Sequence, residues 1–197
     1  MTNFWDERYS TKEYAYGENP NRFFRQQIEK QTPGSILFAA EGEGRNAVFA
    51  ATLGWKVSAF DTSSQGKQKA LELAKKHKVE IDYRIEGYDT VRFDRESFDC
   101  IVLIFAHMQA AARKQNHQHL LNYLKPGGII ILEGFRKEQI NKNSGGPKNI
   151  EMLFSKEELE NDFHGLADIG FEIVDTFLDE GPFHQGMASV IRMFGRK

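Results

Sequence analysis

The feature that most constrains the fold is a short apolar run that breaks at small residues and opens directly into a helix-forming sequence. It covers residues 36–47, ILFAAEGEGRNA, and the next apolar run ends at Asp61. A strand, a glycine-containing loop and a helix in this order build a cradle for nucleoside cofactors, and an acid about 20 residues later can hold a ribose. The pattern therefore predicts an α/β sheet that binds a nucleoside-containing cofactor.

Strands and helices alternate along the rest of the chain. Helices are predicted over residues 20–30, 45–53, 64–78, 109–124 and 156–164. Strands are predicted over residues 36–40, 56–60, 81–85, 98–105, 129–133, 171–178 and 188–194. Continuous apolar runs are typical of parallel strands that are covered on both faces, so the pattern indicates a doubly wound α/β sheet. Residues 134–154 are predicted to form a long loop, and loops of such length are often functional.

Size and charge set the frame for this fold. With 197 residues and 40% hydrophobic content, the chain is long enough for one core, and we expect a single domain over residues 1–197. Residues 1–31 would form a helical or lid segment in that domain. The net charge of −2 provides no basic field for a nucleic acid or an anionic membrane, so we expect neither as a partner. A small-molecule ligand suits this balance, with a monomer or a homodimer as the assembly.

The N-terminal residues and the cysteine content indicate the cellular compartment of the protein. Its first residues lack a positively charged region followed by an apolar stretch, and no apolar run reaches about 18 residues, so we expect a cytoplasmic protein. The single cysteine, Cys100, lies within an apolar run and has no partner for an internal disulfide. We interpret it as a small buried hydrophobe in a reducing compartment.

The loop itself carries charges that select among nucleoside cofactors. Gly42 and Gly44 allow a tight turn, but Glu41 and Glu43 would repel a pyrophosphate. A cofactor with positive charge fits better, and S-adenosylmethionine has both an ammonium and a sulfonium. Arg45 places a positive charge at the start of the next helix, where the helix dipole disfavours it, so a nearby negative group is expected to compensate. This negative group is either the methionyl carboxylate of the cofactor or the side chain of Glu41 or Glu43.

Two further positions are predicted at the same edge of the sheet. Asp61 ends a strand, where its two oxygens match a ribose diol; the alternative is a helix cap, for which Ser63 is the better candidate. Gly87 and Tyr88 follow the third strand, where the tyrosine would cover an adenine or would be an ordinary half-buried aromatic residue. Thr62 lies beside Asp61.

Two histidines are the candidates for a general base. His107 follows the fourth strand and His184 lies in the segment 180–186, EGPFHQG. Either would be needed only if the acceptor is a hydroxyl or a protonated amine; the alternative is a structural, hydrogen-bonded histidine. The histidines show no paired ligand spacing, so no metal site is predicted.

Several motifs in order resemble the class I S-adenosylmethionine-dependent methyltransferases, closest to the small bacterial branch of tellurite-resistance TehB-type enzymes. The resemblance covers nearly the whole chain. It rests on the segments 4–9 (FWDERY), 16–21 (YGENPN), 42–46 (GEGRN), Asp61, 98–99 (FD) and 124–128 (LKPGG). It implies a Rossmann-like sheet of seven strands, mostly parallel with an antiparallel last strand. It also implies methyl transfer from S-adenosylmethionine, with S-adenosylhomocysteine as the product.

The chain departs from the family pattern at three places. Phe38 stands where the family often has an acid, Ala40 stands where it often has a glycine, and Gly87 replaces an acid after the third strand. Glu41 is the candidate substitute for contacts to the methionyl ammonium. No Asn-Pro-Pro-Tyr-like sequence follows the fourth strand, which argues against methylation of nucleobase or glutamine amide nitrogens.

The sequence therefore predicts an S-adenosylmethionine-dependent methyltransferase that acts on a small molecule by in-line displacement. The predicted cofactor-binding residues are Ala40, Glu41, Gly42, Gly44, Arg45, Asp61, Thr62, Gly87, Tyr88 and Phe105. Two alternatives stay open at this point: a protein that binds the adenosyl cofactor without turnover, and a nicotinamide-dependent oxidoreductase.

Overall fold

Seven strands form one sheet in the computed structural model, which describes residues 4–197. The strands are β1 Ser35–Ala39, β2 Lys56–Asp61, β3 Asp82–Ile85, β4 Phe98–Ile104, β5 Leu124–Phe135, β6 Asp168–Asp179 and β7 Gln185–Arg196. The α-helices are α1 Phe4–Arg8, α2 Arg22–Ile28, α3 Arg45–Thr52, α4 Ser64–His77, α5 Ala110–Leu121 and α6 Lys156–Asp162. Residues 1–3 of the predicted N-terminal segment lie outside the described residues, and the single-domain assignment over 1–197 remains our proposal.

The sheet has the strand order β3-β2-β1-β4-β5-β7-β6. Strands β1 to β5 pair in parallel, and β7 runs antiparallel to both of its neighbours, β5 and β6. The predicted fold class, a doubly wound and mostly parallel sheet with an antiparallel last strand, is confirmed. The order reverses between β1 and β4, and ligands of open α/β sheets bind at such a switch point.

Alternation along β1 divides the core into two apolar layers. Ile36 and Phe38 pack into the cluster that includes Phe24 of α2 and Ala47 of α3. Leu37 packs into the opposite cluster, to which α5 and α6 contribute. Because β1 is covered on both faces, four of its five residues are buried, and its sequence is apolar without alternation.

The structure corrects several predicted boundaries. The hairpin strands β6 and β7 have 12 residues each and are longer than predicted, because their antiparallel pairing continues over their whole length. The predicted loop 134–154 contains the end of β5 and two short 3-10 helices, Lys137–Asn141 and Ile150–Met152. The predicted helix 109–124 stops at Leu121, because Leu124 already pairs with Phe98.

The turn from β1 into α3 depends on left-handed backbone. Ala40, Gly42 and Gly44 have φ angles of 52°, 65° and 86°. Gly44 is also the N-cap of α3, and a Cβ there would lie 2.5 Å from the Cβ of Ala70 in α4. The missing side chain of Gly44 therefore lets α4 approach the loop.

Gly44→Ala is expected to lower the free energy of unfolding by about 3 kcal/mol, because a left-handed alanine adds strain to a clash with α4. Gly54→Ala is the matched control: Gly54 has a similar φ of 89°, but its Cβ would meet nothing within 4 Å. Gly54→Ala should lower the free energy of unfolding by about 1 kcal/mol, because it adds the backbone strain without the clash. Urea unfolding of both variants measures the two values, and equal costs would contradict the close approach of α4 as the reason for Gly44.

Candidate functional site

A cavity of about 980 Å³ opens at the carboxyl edge of the sheet, over the switch point between β1 and β4. Its walls combine the ends of β1 to β5 with the N-terminal segment, the loop after β5 and the turn between β6 and β7. Of the ten predicted cofactor-binding residues, the cavity is lined by Ala40, Glu41, Arg45, Asp61, Thr62, Gly87, Tyr88 and Phe105.

The two predicted glycines do not line this cavity. Gly42 is buried under Tyr9, whose hydroxyl would lie 2.6 Å from an added Cβ, and Gly44 packs on α4. We had expected both to make room for a ligand. In the structure they make room for other parts of the chain, and the loop presents Ala40 and Glu41 to the cavity.

The departures from the family pattern have a structural explanation. Ala40 takes up the left-handed conformation that glycine adopts most easily, at a cost of about 1 kcal/mol. Phe38 is fully buried, with its ring centroid 5.4 Å from that of Phe24, so this position belongs to the core. Neither residue breaks the turn that forms the cavity.

Glu41 faces the cavity and also supports the start of α3. Its Oε1 accepts hydrogen bonds from the backbone N–H groups of Asn46 at 3.0 Å and Ala47 at 2.8 Å. Burial raises the pKa of Glu41 to about 7, although these bonds and nearby Arg45 favour its ionised form. Glu41 is therefore poised between its two protonation states near neutral pH.

Asp61 is held at the end of β2 with both oxygens fixed. Its Oδ2 accepts from the N–H of Gly42 at 3.0 Å, and its Oδ1 accepts from the N–H of Ser63 at 2.9 Å. Burial raises the pKa of Asp61 from its ordinary value, against the effect of these bonds. Ser63 is the N-cap of α4, as predicted, and its Oγ accepts from the N–H of Gly66 at 3.0 Å.

Arg45 pairs with neither of the glutamates that its position suggested. Its guanidinium donates to Oε2 of Glu180 at 2.8 Å and to the backbone oxygen of Tyr16 at 3.1 Å. Asn21 joins Glu180 to Glu133 by two further donated bonds, and Glu133 pairs with Arg192. This buried network ties the N-terminal segment to α3, β5 and the turn between β6 and β7. Sequence reasoning missed it because its members lie far apart along the chain.

Glu43 turns away from the cavity. Its Oε1 accepts from Nζ of Lys69 at 2.7 Å, and its Oε2 accepts from the N–H of Ala15 at 2.8 Å. Lys69 is buried in this contact. Of the two loop carboxylates, Glu41 alone lines the cavity and can act on a ligand's charge.

Tyr88 lies at the β3 end of the cavity and packs edge-on against Phe60, with 5.2 Å between ring centroids. Its buried hydroxyl has no hydrogen-bond partner among the residues that the structure describes. Burial raises the pKa of Tyr88 far above its ordinary value, so the hydroxyl keeps its proton. The ring of Tyr88 is therefore the part that meets the cavity, whereas its hydroxyl is enclosed by the protein.

His107 has both ring nitrogens engaged by the backbone. Its Nδ1 lies 2.8 Å from the oxygen of Met152, and its Nε2 accepts from the N–H of Phe135 at 2.9 Å. Burial lowers the pKa of His107 to about 4, so the ring is neutral and its one lone pair is occupied. This geometry disagrees with the expectation of a general base at His107 and supports a role in fixing the loop after β5.

His184 lies in the cavity wall between Tyr16 and Phe105, with ring centroids 4.4 Å from each. Its Nδ1 is 3.7 Å from Oε2 of Glu180 and makes no hydrogen bond within the described part of the chain. Burial lowers the pKa of His184, so the ring is neutral at pH 7. Burial raises the pKa of Glu180, but Arg45 and His184 outweigh it and lower this pKa to about 2. A neutral imidazole beside a carboxylate can accept a proton.

The N-terminal segment contributes more to the cavity than the sequence indicated. Trp5, Arg8, Tyr9 and Tyr16 all line it, and the rings of Trp5 and Tyr9 stack with 5.6 Å between centroids. Helix α1, which carries Trp5 and Arg8, has five residues and is too short to show the periodicity by which a helix is recognised. The structure thus places Trp5 in the cavity wall.

Two kinds of feature are absent from the described residues. No helix from residue 4 onward is both long enough and apolar enough to cross a membrane. Residues 4–197 also contain no group of three or more histidine, cysteine, aspartate or glutamate side chains that could hold a metal ion.

The comparisons with known proteins agree with this geometry. Residues 36–128 match the family described as "Methyltransferase domain". No curated protein matches by sequence. The match spans the strand, the loop and the acid from which the cofactor was predicted, and it ends within β5.

Solved structures share the fold at low identity. One, from work on the conversion of a disulfide bond into a thioacetal group during echinomycin biosynthesis, has a TM-score of 0.74 at 15% identity and covers 97% of this chain and 86% of its own. TehB from Haemophilus influenzae has a TM-score of 0.71 at 14% identity, over 98% of this chain and 66% of its own. An S-adenosylmethionine-dependent methyltransferase from Methanosarcina mazei has a TM-score of 0.68 at 16% identity, and the match covers 91% of this chain and 98% of its own. The likeness to TehB at this identity is one of fold.

Proposed function

Because residues 36–128 match the family described as "Methyltransferase domain" and lie in a seven-stranded, mostly parallel sheet, we propose that this chain uses S-adenosylmethionine to methylate a small molecule and releases S-adenosylhomocysteine. The observation that carries the proposal is the shape of the cavity. One space of about 980 Å³ joins the polar residues after β1, β2 and β3 to an aromatic region after β4 and at the turn between β6 and β7. Ligand cavities in proteins measure about 300–1,000 Å³, so both a cofactor and a small acceptor fit.

The residues along β1 to β3 suit the parts of the cofactor in order. Tyr88 and Gly87 would hold the adenine, and Asp61 with Thr62 would hold the ribose. Ala40 and Phe105 would wall the methionyl part, and the backbone of Gly42 and Gly44 shapes the loop below it. The aromatic ring of Tyr88 lines the cavity and would pack against the adenine.

The methionyl end would meet one carboxylate and one guanidinium. Glu41 would accept from the ammonium, in place of the acid that Phe38 replaces. Arg45 uses two of its N–H groups on Glu180 and Tyr16, and its remaining donors would reach the methionyl carboxylate. Bound S-adenosylmethionine supplies a methyl group on a sulfonium, ready for in-line displacement. The protein aligns the acceptor with that methyl group and excludes water with the aromatic wall.

The affinity for S-adenosylhomocysteine is expected to rise about tenfold from pH 6 to pH 8, as Glu41 with its pKa of about 7 ionises and attracts the ammonium. Glu41→Gln should bind more weakly and lose this dependence. The exposed Glu160→Gln serves as a control and should keep it. Calorimetric titrations across this pH range measure the effect, and a wild-type affinity that falls or stays flat would contradict the role of Glu41.

The proposed activity is tested by incubating the protein with methyl-labelled S-adenosylmethionine and a metabolite library. We expect label to appear in at least one small molecule, together with S-adenosylhomocysteine in equal amount. Asp61→Ala, measured in parallel, should abolish both signals at low cofactor concentration. Cofactor binding without any transfer across the library would favour the alternative of a binding protein without turnover.

A further inference from the structure

Charges are distributed unevenly around the cavity. Its carboxylates lie at or just after the ends of β1, β2 and β3, in the part assigned to the cofactor; they are Glu41, Asp61 and Glu86. Among the described lining residues, the other end has no carboxylate and carries the cations Arg8 and Lys148 instead. An acceptor that enters this end therefore meets positive charge and aromatic rings.

Arg8 is the better placed of these two cations. Its guanidinium lies 4.1 Å from the ring centroid of Phe183, beside His184, and donates to the hydroxyl of Tyr16 at 3.3 Å. Burial lowers the pKa of His184, and the positive charge of Arg8 lowers this pKa further. Arg8 is thus fixed near the histidine that faces the acceptor end.

The guanidinium of Arg8 has no carboxylate within 4.0 Å in the described part of the chain, unlike three other buried or half-buried arginines. Arg45, Arg113 and Arg192 all pair with buried carboxylates. A guanidinium has five N–H donors in a planar fork that matches a carboxylate, and among residues 4–197 Arg8 uses one of them. A half-buried fork with free donors in a ligand cavity is suited to an oxyanion of the ligand.

We propose that the methyl acceptor carries a carboxylate on an aromatic or apolar body, and that Arg8 binds this carboxylate while Phe183 and its aromatic neighbours hold the body. This inference rests on the proposed function, because it assigns the acceptor of the same site. The negative charge would also suit the cationic cofactor beside it. Arg8 then selects the acceptor, and His184 and Glu180 act on the acceptor's nucleophile.

The test uses phenylacetate and its neutral counterpart phenylacetamide as probes, with protein saturated by S-adenosylhomocysteine. Wild-type protein should bind phenylacetate at least tenfold more tightly than phenylacetamide. Arg8→Gln should lose this preference, Arg8→Lys should keep part of it, and the exposed, remote Arg95→Gln should match wild type. Ligand-observed NMR titrations give the four ratios.

Two results would overturn the inference. One is a failure of the predicted preference, either because wild-type protein shows no measurable preference for phenylacetate or because Arg8→Gln keeps the wild-type preference. The other is an Arg8→Gln variant that binds S-adenosylhomocysteine more weakly but binds methylthioadenosine, which lacks the amino-acid end, as wild type does; Arg8 would then serve the methionyl carboxylate. A failure of the proposed function gives a different result, because wild-type protein would then not bind S-adenosylhomocysteine at all.

Discussion

Asp61→Ala is expected to weaken the binding of S-adenosylhomocysteine by about 100-fold. A hydrogen bond to a charged group contributes about 1.5–3 kcal/mol, and the carboxylate would accept from two ribose hydroxyls. The position is favourable for this role because Gly42 and Ser63 hold both oxygens at the cavity edge. Isothermal calorimetry of the variant and the wild type measures the change.

Asp61 also supports the loop, so the ligand has to separate its two roles. Adenosine and 2′,3′-dideoxyadenosine differ in the ribose hydroxyls alone. Wild-type protein should prefer adenosine, and Asp61→Ala should bind the two nucleosides equally. If the variant lost affinity for both and kept the preference, Asp61 would act through the loop, and the ribose contact would be wrong.

His184→Gln is expected to lower kcat about 100-fold at pH 7, since a positioned general base contributes about 10²–10⁴-fold. Its ring is neutral, lines the cavity and lies 3.7 Å from Glu180, which would stabilise the imidazolium that forms. The rate of the variant should recover as pH rises, because the acceptor then loses its proton without help. Steady-state kinetics with the acceptor found by the labelled-donor screen measure both effects.

His107→Gln is the matched comparison. His107 lies in the same cavity wall, but both of its nitrogens bond to the backbone of Met152 and Phe135. We expect it to change kcat by less than about threefold, well below the contribution of a base, and to lower the thermal midpoint instead. Equal losses of kcat in the two variants would contradict the assignment of His184 as the base.

The sequence predicted what depends on local pattern. The apolar run 36–40, the glycine loop and the acid at 61 lie within about 25 residues, and each follows from strand, turn and helix chemistry. The fold class followed from the alternation of apolar strands with helices. The capping role of Ser63 also depends on three neighbouring residues alone.

What the sequence could not show depends on contacts between distant segments. Arg45 meets Glu180, 135 positions away, and Lys69 meets Glu43, so the interpretation of each charge by its neighbours was incomplete. The occupied nitrogens of His107 depend on the path of the loop after β5. The place of Arg8 in the cavity wall depends on how the short helix α1 docks. None of these contacts leaves a periodic signal.

The most direct test of the account is a titration of the wild-type protein with S-adenosylhomocysteine, S-adenosylmethionine and NAD under the same conditions. The loop presents Glu41 to the cavity, which favours a cationic ligand and disfavours a pyrophosphate. We expect both adenosyl compounds to bind with one site per chain, and NAD to bind at least about tenfold more weakly, a difference of about 1.4 kcal/mol. Tighter binding of NAD than of either adenosyl compound would contradict the account.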